Sequence, residues 1–315
     1  MPLFQQAVQK IPSNLLKDRY SWPPFSILNT ISWDWQRRVD DWKNVILDSG
    51  NGRDVKRYNA TPTNTFSSRG SEAKEAESIS IFDPYLCELM YRWFSIPGMT
   101  ILDPFAGGCV RGEVAAVLNR RYTGIDLSPA QVDANKEAMV NLQSRYSGIS
   151  GSAEWLCGDS DEILSSLVHT YDMVLTCPPY FNLEQYTKDK RDLSRLPTYE
   201  DFLIKYESIL KKTAEHLNED CFFVIVVSEV RKNQQNLAES QYLGLVPDTI
   251  HILKNSCFLH YYNELILENN IGSLPIRVPR SFERTRKIGR HHQNILVFYK
   301  GHIENIEQKF GRNIF

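Results

Sequence analysis

The sequence predicts an α/β fold in which a mostly parallel sheet carries helices on both faces. From about residue 80 onward, short apolar segments alternate with segments of helical periodicity, as in strands joined by crossover helices. Three successive strands end in or precede an aspartate, and sheets of this kind bind ligands at the carboxyl ends of their strands. The seven predicted strands are 100–102, 121–126, 155–157, 171–176, 221–228, 261–267 and 294–300.

Helices are expected between these strands. Ser128 is placed to cap a helix whose first residue is Pro129, the position that proline favours. Over 199–217, apolar residues recur at the spacing of one helical face. The other predicted helices are 112–120, 161–168 and 246–257.

Length and composition exclude several classes of protein. The 315 residues are 42% hydrophobic and 23% charged, the balance of a globular rather than a disordered or fibrous chain. The longest apolar run, 221–227, is far shorter than the about 20 residues of a membrane-spanning helix. The N-terminus lacks the pattern of a secretion signal, and no two of the six cysteines are closely spaced. We therefore expect a cytoplasmic protein with reduced thiols, no metal and no membrane partner.

Residues 1–78 differ from the rest and are predicted to be an extension and linker before the main domain, 79–315. Residues 58–73 are rich in serine, threonine and asparagine, as linkers are. Two roles suit the aromatic and basic residues of the extension equally: binding nucleic acid by stacking and charge, or packing over the sheet as a structural lid. These residues are Trp33, Trp35, Arg37, Arg38 and Trp42.

The first three predicted strands indicate a nucleoside ligand. Asp103 opens a glycine-containing turn that lets the backbone approach a ligand. Asp126 follows 23 residues later at the end of the second strand, where an acid can bind ribose hydroxyls, and Asp159 follows the third strand. The chain has no Walker lysine after the glycines and no GxGxxG, which disfavours a triphosphate or a nicotinamide cofactor. S-adenosylmethionine, which bears adenosine without a pyrophosphate, fits these residues.

The fourth strand ends in a rigid turn, Cys177-Pro178-Pro179-Tyr180. The two prolines fix two φ angles and remove two backbone donors, so the turn presents carbonyl acceptors, a short side chain and an aromatic ring. Acceptors of this kind suit the N–H groups of an exocyclic base amine, and the ring of Tyr180 can stack on the base. Positioning and fixed dipoles would then supply the catalysis.

Four motifs in this order, DPFAGG, GIDLSP, CGDS and TCPPY, resemble those of the DNA amino-methyltransferases that act on adenine N6 or cytosine N4. Similarity is greatest to methylases of bacteriophages and mobile elements, which share SIFDPYLCELMYRWFSIPG and GSLPIR…RKIGRHHQNILVFYKG. The resemblance covers about residues 20–302. It implies a Rossmann-like, seven-stranded class I methyltransferase fold in a catalytic domain at 79–315. It also implies S-adenosylmethionine as cofactor and DNA as partner. The expected location is the cytoplasm of a bacterial cell or phage-infected host.

The resemblance implies a role for each motif. The expected cofactor-binding residues are Phe82, Asp83, Asp103, Phe105, Ala106, Gly107, Asp126, Leu127, Asp159 and Ser160. The expected catalytic residues, which hold the target base, are Cys177, Pro178, Pro179 and Tyr180. Two residues depart from the family pattern. Cys109 replaces the second glycine of the first motif, and Cys177 replaces an Asp, Asn or Ser and is a weaker acceptor. The target base stays open between cytosine and adenine.

Two segments are candidates for nucleic-acid contact. Residues 181–198 are polar and follow the catalytic turn, so they form either a cover over the base or an ordinary surface loop. The second segment, 272–293, is predicted as a loop whose cations either neutralise phosphates or are simply solvated. The candidate DNA-binding residues are Asn182, Tyr186, Arg277, Arg280, Arg284, Arg286, Lys287 and Arg290.

The sequence therefore favours an S-adenosylmethionine-dependent DNA amino-methyltransferase that flips its target base out of the duplex. One alternative keeps the chemistry but acts on RNA or on a protein glutamine. Another is a catalytically inactive nucleic-acid-binding protein with the same fold. Recognition sequence, strand preference, oligomeric state and any partner restriction enzyme stay open.

Overall fold

A computed structural model describes residues 13–47, 81–181, 189–232 and 241–311. Within these residues, eight strands form one sheet with the spatial order β1-β7-β8-β6-β5-β2-β3-β4. Neighbouring strands are parallel except that β8 runs antiparallel to both β6 and β7. The strands are β1 Ile27–Asn29, β2 Thr100–Asp103, β3 Arg121–Asp126, β4 Ser152–Cys157, β5 Tyr171–Thr176, β6 Leu217–Val227, β7 His260–Glu268 and β8 His292–Lys300.

Helices cover both faces of this sheet. The helices are α1 Ser13–Tyr20, α2 Trp33–Val45, α3 Pro84–Phe94, α4 Val110–Val117, α5 Pro129–Arg145, α6 Ser160–Ser166, α7 Tyr199–Glu215, α8 Leu245–His251, α9 Leu274–Thr285 and α10 Ile306–Phe310. Helices α2 to α5 enclose one hydrophobic core, and α6 to α8 enclose the other. The sheet is therefore buried on both sides, as a mostly parallel sheet requires.

The predicted fold class is confirmed, with one more strand than expected. All seven predicted strands are present, and 121–126 and 171–176 have the predicted bounds. The eighth is β1, whose Leu28 lies opposite Leu267 of β7 in a parallel pair. Three residues are too few to show a periodic pattern, so the sequence does not reveal this strand. Part of the N-terminal extension thus belongs to the sheet.

The segment 272–293, predicted as a loop, contains helix α9, so that prediction is wrong. Pro275 lies in the first helical turn, where proline needs no N–H partner, and Arg286 ends the helix in the left-handed conformation (φ 57°). Pro279 lies inside the helix, where it removes one backbone hydrogen bond. Because this segment contains two prolines and many charges, its sequence resembles that of a loop.

No helix in the described part of the chain is long and apolar enough to span a membrane.

Helix α2, which follows β1, is joined to α3 by a buried acid. Glu88 is 1% exposed and accepts hydrogen bonds from Arg38 (2.8 Å), Trp42 (2.7 Å) and Arg92 (2.9 Å). Burial alone would raise the pKa of Glu88, but its bonds to Arg38 and Trp42 and the charges of Arg38 and Arg92 lower it overall. The charged carboxylate of Glu88 therefore holds α2 against α3.

Candidate active site

A cavity of about 430 Å³ opens at the carboxyl ends of β2, β3, β4 and β5. A volume of this size suits a small-molecule ligand. Most of the predicted cofactor-binding and catalytic residues line it. These are Phe82, Asp83, Phe105, Gly107, Asp126, Leu127, Asp159, Ser160, Cys177, Pro178, Pro179 and Tyr180. The structure thus brings both predicted groups into one space.

Asp103 and Ala106, also predicted to contact the cofactor, do not line the cavity. Asp103 is fully buried, and each carboxylate oxygen has two donors. One oxygen accepts from the Phe105 N–H (3.1 Å) and the Thr176 hydroxyl (2.6 Å). The other accepts from Arg111 Nε (2.5 Å) and the Tyr122 hydroxyl (2.8 Å). These internal bonds occupy the acceptor positions of Asp103. Its role is therefore to stabilise the glycine turn rather than to contact a ligand.

Arg111 reaches the cavity wall and was not predicted. Its side chain donates to the carbonyls of Phe105 (2.6 Å) and Ala106 (2.8 Å), and its guanidinium lies 4.6 Å from the centre of the Phe82 ring. Burial would lower the pKa of Arg111, but the charge of Asp103 raises it, so this arginine stays charged. Arg111 thus joins the first turn to Phe82 of the cavity wall.

The glycine turn tolerates the departure at Cys109. The left-handed residue of the turn is Gly107 (φ 52°), and its N–H donates to Asp126 Oδ2 (2.9 Å). Cys109 has ordinary helical angles (φ −68°, ψ −18°) as the cap of α4 and is buried. Because any residue adopts those angles, a second glycine is not required there.

The two acids at the next strand ends are held from different directions. Asp126 is half-buried, and its other oxygen accepts from the Ser128 N–H (2.8 Å). Asp159 is buried, caps α6 through the Asp161 N–H (2.9 Å) and pairs with Lys205 Nζ (2.6 Å). Lys205 lines the cavity from α7, 46 residues along the chain, and no local pattern identifies it as a site residue.

Phe82 and Asp83 form another part of the cavity wall. Asp83 caps α3 by accepting from two backbone N–H groups, those of Tyr85 (2.8 Å) and Leu86 (3.1 Å). Its second oxygen accepts from Trp35 Nε1 (2.8 Å), and burial raises the pKa of Asp83. Trp35 is fully buried, so a residue of the N-terminal extension supports this wall.

The turn Cys177–Tyr180, predicted to be catalytic, directly follows β5. Cys177 is half-buried and Pro178 is buried, yet all four residues of the turn reach the cavity. The hydroxyl of Tyr180 accepts a hydrogen bond from Gln293 Nε2 (3.0 Å). Four further residues, which the sequence did not indicate, line the cavity at the ends of β1, β7 and β8. They are Thr30, Leu267, Asn269 and Gln293.

The predicted DNA-binding residues fall into three groups. Asn182 and Tyr186 lie outside the described residues, and of Arg277 only the backbone, in α9, is described. Arg280, Arg284 and Arg286 are exposed, and Lys287 Nζ lies 4.2 Å from the centre of the Tyr242 ring. Arg290 instead donates to the His292 carbonyl (3.2 Å) and to Asn294 Oδ1. Arg290 therefore holds the start of β8.

No protein-family model and no curated protein matches the sequence. Among solved structures, the chain is similar to TrmN from Thermus thermophilus at 16% identity and a TM-score of 0.46, over 70% of this chain and 49% of TrmN. It is also similar to the N-methyltransferase NodS from Bradyrhizobium japonicum, solved with S-adenosyl-L-homocysteine (12%, TM-score 0.42, 70% of this chain and 86% of NodS). A third is a candidate DNA modification methylase, also from Thermus thermophilus, at 21% identity and a TM-score of 0.34, over 46% of this chain and 52% of the methylase. The chain thus spans about half the length of TrmN.

Proposed function

We propose that the protein is an S-adenosylmethionine-dependent methyltransferase that acts on an exocyclic amino group of a DNA base, cytosine N4 or adenine N6. The observation that carries this proposal is the continuity of one cavity. The strand-end acids Asp126 and Asp159 and the turn Cys177–Tyr180 line the same space. Direct transfer of a group between two bound molecules needs both of them in one enclosed site.

The residues at the strand ends fit the cofactor. Asp126 lines the cavity and is half-buried, and its carboxylate is an acceptor suited to ribose hydroxyls. Asp159 and Ser160 would border the adenine, and Phe82, Asp83, Phe105 and Gly107 the methionine end. When bound, S-adenosylmethionine supplies an electrophilic methyl group.

The catalytic turn fits an amino group. Pro178 and Pro179 carry no N–H, so their backbone presents acceptors only, which suits the two N–H groups of a base amine. Cys177 adds a weaker acceptor, and the ring of Tyr180 offers a face for stacking. A base in a duplex must be flipped out to enter such a cavity.

The surface of α9 supports a nucleic-acid substrate over a protein glutamine. Arg280, Arg284 and Arg286 are exposed, and no ion pair joins them to a carboxylate of the described residues. Cations without carboxylate partners are available to phosphates, and such contacts contribute affinity that does not depend on sequence.

Mass spectrometry of nucleosides tests this function. Unmodified DNA and RNA are incubated with methyl-labelled S-adenosylmethionine and the protein, the Tyr180→Ala variant or a control, Tyr146→Ala, whose tyrosine is 40% exposed and does not line the cavity. We expect N4-methylcytosine or N6-methyladenine in DNA from the wild type and Tyr146→Ala, and a loss of at least about 100-fold from Tyr180→Ala. Methylation of RNA alone would support the RNA alternative. Cofactor binding without any methylated nucleoside would contradict the proposal.

A further inference from the structure

We propose that Gln293 is a positioning residue that fixes the ring of Tyr180 against the target base. This inference rests on the proposed function and deepens it. Gln293 Nε2 donates to the Tyr180 hydroxyl at 3.0 Å, although 113 residues separate the two in the chain. Both residues line the cavity. The bond therefore links the last residue of the catalytic turn to the antiparallel β7–β8 pair.

The sheet register directs Gln293 into the cavity. Gln293 of β8 lies opposite Leu267 of β7, and directly opposite residues of an antiparallel pair have their side chains on one face. The next residues along that face, Leu265 and Ile295, are buried in the hydrophobic core. Gln293 is thus a polar residue at the end of an apolar row, at the point where that row meets the cavity.

The start of β8 is held in place by side chains on the opposite face. Asn294 is 7% exposed, donates to Glu264 Oε1 (2.7 Å) and accepts from Arg290. The backbone is also fixed, because the Asn269 N–H donates to the His291 carbonyl (2.7 Å). A glutamine on such a strand can orient a partner, since its own backbone cannot shift without breaking these bonds.

The hydrogen bond from Gln293 acts on the side-chain torsions of Tyr180. Pro178 and Pro179 restrict the backbone before it, but they do not fix the two side-chain torsions of Tyr180. A hydrogen bond at the hydroxyl acts at the far end of the ring, where it opposes rotation about both torsions. A ring held at one angle fixes the orientation of the stacked base toward the methyl donor, so the hydrogen bond acts on the transfer step.

The proposal predicts an effect on the methylation rate rather than on cofactor binding. The Tyr180→Phe variant keeps the stacking ring but loses the hydroxyl, and Gln293→Leu loses the donor at similar volume. If the hydrogen bond orients the ring, each variant lowers kcat by about tenfold, and the double variant is no slower than either single one. The KM for DNA changes less, and the Kd of S-adenosyl-L-homocysteine changes by less than about twofold.

The experiment is a double-mutant cycle with two readouts: kcat for DNA methylation, and urea unfolding of the same four proteins. Gln143→Leu, at an exposed glutamine of α5, is the matched control and should methylate like the wild type. Effects on kcat that multiply to about 100-fold in the double variant, or an unchanged kcat in Gln293→Leu, would overturn the positioning role. Coupling in unfolding reports the contact without any substrate. If the two substitutions couple in unfolding but the wild type methylates no DNA, the proposed function fails. If the wild type methylates DNA but the two substitutions do not couple in kcat, this inference fails.

Discussion

Helices α2 and α9 both carry arginine and aromatic residues, but they use these residues in opposite ways. In α2, Arg38 and Trp42 turn inward and donate to the buried carboxylate of Glu88. In α9, Arg280 and Arg284 are exposed, and no carboxylate of the described residues pairs with them. The difference comes from the surroundings of the two helices rather than from their composition. Of the two, α2 is the helix that packs against a buried acid, Glu88. Basic residues indicate a binding surface only where no such acid is present.

The comparison favours the lid interpretation of the N-terminal extension for the residues that face inward. Trp35 is fully buried and Trp42 is 4% exposed, so neither ring can stack on a nucleotide. Trp35 instead supports Asp83 at the cavity wall. The extension therefore contributes to the cavity directly through Thr30, which follows β1, and indirectly through Trp35 of α2.

The largest effect is expected from removing the buried acid. Glu88→Ala leaves Arg38, Arg92 and the buried indole of Trp42 without their acceptor, which should lower the free energy of unfolding by about 3 kcal/mol at pH 7. Urea denaturation measures this loss. A loss below about 1 kcal/mol would show that Glu88 does not hold α2 to α3.

The dependence of this loss on pH is its internal control. The pKa of Glu88 is lowered in the folded protein from its ordinary value of 4.5, so the carboxylate stabilises the fold above that pH. The contribution disappears as the pH falls through the folded-state pKa, below 4.5. The difference in stability between the wild type and Glu88→Ala should therefore shrink in acid. A difference that stays constant would assign the loss to packing instead of charge.

A smaller, purely electrostatic effect on DNA binding is expected from removing the exposed arginine charges of α9. The double variant Arg280→Gln/Arg284→Gln should weaken DNA binding and make the plot of log affinity against log salt concentration shallower by about 2, one unit for each lost phosphate contact. Its free energy of unfolding should change by less than about 0.5 kcal/mol, because both side chains are exposed. Fluorescence anisotropy at several salt concentrations measures the slope.

The double variant Lys136→Gln/Lys211→Gln removes the same charge from two positions on α5 and α7, away from α9 in the chain. An equal change of slope in this control would mean that overall charge, and not α9, governs binding to DNA.

The fold could be predicted from sequence where the pattern is local. Strands β3 and β5 have the predicted bounds because apolar runs between polar ends mark buried strands. The helix α9 and the strand β1 could not be predicted, since prolines obscure the first and three residues show no period in the second. The strand-end positions of Asp126 and Asp159 follow from the same local pattern.

The partners of the site residues could not be predicted in the same way. Lys205 lies 46 residues from Asp159, and Gln293 lies 113 from Tyr180. Nothing local to either site residue shows which distant side chain the fold brings to it. The supporting role of Asp103 was missed for this reason, because its acceptor positions are used by partners such as Arg111 that face it only in the folded chain.

The smallest effect is expected at the outer surface of α2, and it tests the comparison most directly. Trp33 is 72% exposed, and the guanidinium of Arg37 lies 4.9 Å from the centre of its ring. If α2 is structural throughout, Trp33→Ala/Arg37→Gln should leave the salt dependence of DNA binding unchanged and alter the free energy of unfolding by less than about 0.5 kcal/mol. A loss of DNA affinity as large as that of the α9 double variant would instead show that α2 binds nucleic acid with its exposed face while its buried face builds the fold. The same anisotropy measurement, made on both double variants, separates these outcomes.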